Sequence, residues 1–81
     1  MSHEYANKPD KLVYMANQIG KFWTSQDLEK APAAIAEHIK KFWDPRMRTA
    51  IVRHLDAGGA GLDPPVRDAI ARLAADRAAM P

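Results

Sequence analysis

The chain has 81 residues, of which 47% are apolar, and it carries 12 Lys and Arg against 10 Asp and Glu for a net charge of +2. A chain this short buries only about 60% of the surface it exposes when unfolded, which leaves little material for a large active-site cleft. The small charge excess gives no footing to a polybasic nucleic-acid binder, and the absence of cysteine excludes a disulfide framework, a thiolate zinc site, an iron–sulfur cluster and a cysteine nucleophile.

Prolines punctuate the chain. Pro9, Pro32, Pro45 and Pro64 each stand at or near the start of a stretch with helical periodicity, where the missing N–H costs nothing and the fixed φ helps. The first helix is expected from about Asp10 to Ser25, with Leu12, Met15, Ile19 and Phe22 on one stripe and Ala16 and Trp23 beside it. Gly20 interrupts this stretch at a cost of up to about 1 kcal/mol relative to alanine, which suits a site of close backbone approach. The second helix, from about Pro32 to Phe42, turns Ile35, Ile39 and Phe42 inward. Asp44 before Pro45 is well placed to cap a third helix, in which Met47, Ile51, His54 and Leu55 share a face until Gly58-Gly59 stops it. Asp63 caps a fourth in the same way, from Pro64 to about Ala79, with Val66, Ala69, Ile70 and Leu73 inward and Arg67, Arg72 and Asp76 solvated. No segment alternates with period two. The fold class is therefore all-α: a small bundle of about four short helices, one domain over 1–81 with an ordered core of about 10–77 and frayed ends. The single-residue hinge at Asp44 suggests a steep angle between the second and third helices.

Candidate sites are few. Ile19-Gly20-Lys21-Phe22-Trp23 is echoed by Ile39-Lys40-Lys41-Phe42-Trp43, placing a tryptophan at the edge of the core stripe in each of the first two helices. Trp23 and Trp43 either cap the core or serve a partner, since tryptophan is enriched at interface hot spots. Residues 1–37 carry four Lys against five acids, 38–54 carry five bases against Asp44 alone, and 55–81 carry three Arg against four Asp. The basic side chains Lys40, Lys41, Arg46, Arg48 and Arg53 thus gather around one helix start, as a solvated face with pairs such as Asp44 and Arg48, or as a contact for acidic protein or phosphate. His3, His38 and His54 share no helical spacing that would set two ligands on one face, so no metal site is expected. Glu37 and His38 point about 100° apart, and Ser2 and Ser25 have no nucleophile elbow. Gly58-Gly59-Ala60-Gly61 follows a helix and lacks the Gly-Lys-Ser/Thr ending of a phosphate loop, so it reads as a flexible helix stop. No catalytic, cofactor-binding or metal-binding residue is expected. No apolar run approaches the roughly 20 residues that span a bilayer, and Met1-Ser2-His3-Glu4 lacks the features of a secretory signal, so the expected location is the cytoplasm.

Three blocks carry a resemblance. Lys11-Leu12-Val13-Tyr14-Met15-Ala16-Asn17-Gln18-Ile19, then His38-Ile39-Lys40-Lys41-Phe42-Trp43-Asp44-Pro45-Arg46-Met47-Arg48, then Gly58-Gly59-Ala60-Gly61-Leu62-Asp63-Pro64 resemble the delta subunit of NAD-dependent, molybdenum-containing formate dehydrogenases. The resemblance covers roughly residues 11–73. It implies a non-catalytic accessory subunit that assists assembly, cofactor maturation or stability of a complex. The other subunits of that complex carry molybdenum bis-molybdopterin guanine dinucleotide, iron–sulfur clusters, flavin and the NAD site. The implied partner is the alpha subunit, with beta and gamma also in reach, and neither nucleic acid nor membrane. On this reading Phe42, Trp43, Arg46, Arg48, Lys41 and Trp23 face the partner, while Asp44, Pro45, Asp63 and Pro64 fix helix starts. A free-standing regulatory or self-associating helical module, and a weak nucleic-acid binder, are the alternatives.

Overall fold

The computed structural model describes residues 8–79, with side chains from 8 to 76. The expectations placed on Ser2 and His3 and on frayed ends fall outside the described residues, in whole or in part. Four helices succeed one another: α1 (Pro9–Gln26), α2 (Ala31–Phe42), α3 (Pro45–Asp56) and α4 (Pro64–Ala79). No strand occurs among the described residues. Each helix has its proline within the first two positions, where φ near −65° already matches the helix. α2 has a second device that helical periodicity does not reveal. The Asp27 carboxylate accepts from the amides of Glu29 (3.1 Å) and Lys30 (3.3 Å), folding the link from α1 into a turn that delivers α2.

α4 packs most extensively on α2, and α1 touches the other three helices. α2 and α3, although consecutive, share the least contact, in keeping with a chain that changes direction at Asp44. The core is built from Leu12 and Ala16 of α1, Ile35 and Ile39 of α2, Ile51 and Val52 of α3, and Val66, Ala69, Ile70 and Leu73 of α4, closed by Leu62 and Trp43. The tight point is Gly20, where a Cβ would stand 2.5 Å from Val66 Cγ2. A side chain of α4 occupies the gap, rather than the backbone the sequence suggested.

Two inward assignments are corrected. Phe22 is 55% exposed and Phe42 72% exposed. On α1 the buried line runs through Leu12, Ala16 and Gly20, and Phe22 lies about 120° around the helix from Ala16. Phe42 is the last residue of α2; beyond it the backbone turns extended at Trp43 (φ −88°, ψ 141°). That turn carries the Trp43 ring under the bundle and leaves Phe42 outside.

Candidate docking surfaces

The α2–α3 corner is locked by its own side chains. Asp44 Oδ1 accepts from the amides of Arg46 (2.9 Å) and Met47 (3.1 Å), as an N-cap should. Arg48 reaches back to the other side of the corner. Its Nη1 donates to the carbonyls of Trp43 (2.6 Å) and Lys40 (3.3 Å), filling acceptors that the end of α2 leaves open. The expected ion pair between Asp44 and Arg48 gives way to these bonds, because each charge already has backbone groups within reach. Trp43 is 5% exposed. It packs in this chain's own core rather than on the surface where a partner-facing role was expected of it, whereas its neighbour Phe42 is exposed.

The glycine-rich loop between α3 and α4 is bonded to side chains from three helices. Gly59 N–H donates to the His54 carbonyl (2.9 Å) and Gly58 N–H to that of Leu55 (3.0 Å), a Schellman ending for α3. Both glycines sit at positive φ, +124° and +66°, where a side chain would be strained. Three side chains then hold the loop in place. The Arg67 guanidinium donates to the Gly58 carbonyl through Nη2 (2.7 Å) and Nη1 (3.1 Å); it is therefore half-buried, not solvated as expected. His54 Nε2 bonds the Ala60 carbonyl (2.8 Å), so its ring serves the loop more than the core face. Asn17, from α1, donates to the Gly61 carbonyl (2.9 Å) and accepts from the Asp63 amide (3.0 Å). Asp63 takes part through its backbone: its N–H makes the second of these bonds, and its carbonyl takes the first helical bond from Arg67 N–H (2.8 Å).

Two hollows stand out among the described residues. Along α1 and α2, Gln18, Ile19, Phe22, Trp23 and His38 line an open, mostly apolar hollow of about 420 Å³. Phe22 meets Trp23 edge-on at 5.0 Å, and His38 carries the strip on to Phe42 at 4.8 Å. Lys21 and Lys41 immediately precede the two exposed phenylalanines and are themselves exposed. Phe22 therefore belongs to the candidate surface, although periodicity places it in the core; the repeated Lys-Phe-Trp triplet is the signal that points to it. The second surface is a groove of about 690 Å³ along α3, lined by Pro9, Pro45, Arg46, Thr49, Ala50, Arg53, His54 and Ala57. The expected basic cluster is thus divided: Arg48 is engaged at the corner, Arg46 and Arg53 line the groove, and Lys40 and Lys41 stand exposed at the end of α2.

Among the described residues no group of three or more His, Asp or Glu side chains gathers in a metal-holding arrangement, and no helix is long and apolar enough to cross a membrane. Fold and surfaces together define a small all-α protein whose buried ring and clamping polar groups hold its own turns while two phenylalanines face outward. The family model described as NADH-dependent formate dehydrogenase delta subunit FdsD matches residues 11–70, from the first turn of α1 to the middle of α4, and the chain belongs to that family. No curated protein and no solved structure matches it.

Proposed function

We propose that the chain is a non-catalytic accessory subunit of an NAD-dependent formate dehydrogenase, acting by protein–protein docking to support assembly, cofactor maturation or stability of the catalytic subunits. Its partner is the alpha subunit, with beta and gamma as the further candidates. On this reading the molybdenum cofactor, clusters, flavin and NAD are carried by those subunits; for the clusters this agrees with a sequence that has no cysteine to ligate one. The observation that carries the docking is the outward pair Phe22 and Phe42, joined by Trp23 and His38 into one strip. Large exposed rings in a small bundle gain most by burial against a second surface. Lys21 and Lys41 would lie at the rim of that contact and set its orientation more than its strength.

A tagged copy expressed beside the formate dehydrogenase subunits should recover the alpha subunit in near-equal amounts. The Phe22→Ser, Phe42→Ser double variant should keep its helical circular dichroism and lose at least tenfold in recovery. A folded double variant that recovers as much as the parent would remove the strip from the reading. Failure of the parent chain to recover any subunit, from mature complex or from cells blocked in cofactor insertion, would remove the accessory role itself. Tight self-association in sedimentation, abolished by the same double variant, would put a second copy on the strip instead.

A further inference from the structure

The α3 groove shares no lining residue with the aromatic strip. We infer that it is a second docking surface, resting on the reading of the chain as a subunit, and that it takes an acidic segment of a partner protein lying along α3 with carboxylates on Arg46 and Arg53.

Charge is the first argument. No Asp or Glu lines the groove, and the one acid between residues 38 and 54, Asp44, is bonded to the amides of Arg46 and Met47. Of the α3 arginines, Arg48 is engaged with carbonyls of the corner, whereas Arg46 and Arg53 are exposed and so can offer their guanidinium forks to carboxylates.

Spacing is the second. Seven positions on a helix return to within about 20° of the same direction and advance about 10 Å. Arg46 and Arg53 therefore form one row, and a partner matches it with carboxylates seven apart on a helix, or two or four apart on an extended strand, where alternate side chains share a face at about 7 or 13 Å. Along α3, Thr49 and Ala50 lie between the two arginines and Ala57 beyond them, and Pro9 and Pro45 complete the small side chains of the lining. Side chains this small let a partner backbone lie close to α3.

Phosphate fits less well. The amides at the α3 start that would favour it are capped by the Asp44 carboxylate, and His54 Nε2 is bonded to the Ala60 carbonyl. What is left is a two-arginine row, too short for the backbone tracking that nucleic acid requires.

The test uses the assembled complex. A benzoylphenylalanine photo-crosslinker at Thr49, with a second at Gln18 in the strip as reference, is expressed with the formate dehydrogenase subunits and irradiated. The Thr49 crosslink should map to a peptide with at least two carboxylates, and Arg46→Glu with Arg53→Glu should reduce its yield at least tenfold while the Gln18 crosslink stays unchanged. Arg46→Gln with Arg53→Gln, the milder pair, should give an intermediate loss if charge reversal disturbs the helix. A crosslink at Gln18 but none at Thr49, a Thr49 crosslink to nucleic acid or to a segment without carboxylates, or a yield indifferent to both pairs would overturn the second surface. Silence at both positions, together with a tag that recovers no subunit, would overturn the subunit reading and this inference with it.

Discussion

A methyl group on Gly20 would meet Val66 Cγ2 at 2.5 Å, closer than packed carbons tolerate. Alanine there gains up to about 1 kcal/mol of helix propensity and loses about 1–3 kcal/mol to overpacking, so Gly20→Ala should destabilise by about 1 kcal/mol in urea unfolding. The sign of the coupling is the sharper expectation. Val66→Ala removes the clashing methyls, so the double variant should be more stable than the sum of the two single changes, as contacting residues allow. At this scale the sequence is legible wherever periodicity decides, as at Leu12, Ile35, Ile39, Ile51, Val66 and Ile70, all fully buried. It misleads at the two Lys-Phe-Trp triplets. There a wheel that puts Phe42 in line with Ile35 and Ile39 cannot know that the next residue leaves the helix, and one extended residue is enough to exchange Phe42 for Trp43.

At the scale of elements, the two turns that flank α3 are held in different ways, and substitutions should tell them apart. Asp44→Ala removes two bonds to first-turn amides and should cost about 1–2 kcal/mol. Asp63→Ala should cost less, because α4 opens with Pro64-Pro65 and two of its first-turn N–H groups do not exist. The larger effect in the second turn belongs to Asn17. Its side chain is both donor and acceptor to the Gly61–Asp63 stretch, so Asn17→Ala should cost about 1–2 kcal/mol and speed amide exchange in that loop well beyond the change elsewhere. Helix starts are readable because proline and aspartate act on their immediate neighbours. The clamps of Asn17 and Arg67 are not, since Asn17 is 44 positions from Gly61 and only the packed bundle brings the two together.

For the whole molecule the question is which aromatic residues hold the fold and which are free for a partner. The described body is small, about 35 × 31 × 24 Å, and a chain of this length has a stability of roughly 4–12 kcal/mol. Trp43, 5% exposed and part of the core cluster, accounts for a large share of that: truncation of a buried aromatic ring costs about 3–5 kcal/mol. Since each kcal/mol moves the midpoint by about 4–8 °C in a domain this size, Trp43→Ala should lower the melting temperature by at least about 12 °C and any loss of docking would result from unfolding. Phe42, its neighbour and 72% exposed, should behave in the opposite way. Phe42→Ala should leave the melt within about 4 °C of the parent, the range expected of surface changes within about 0.5 kcal/mol, while weakening recovery of the formate dehydrogenase subunits. Thermal melts paired with pull-downs on these two adjacent variants separate the roles. If Phe42→Ala melts as low as Trp43→Ala, then Phe42 is needed by the fold, and the strip must bind its partner through Phe22 and Trp23 alone.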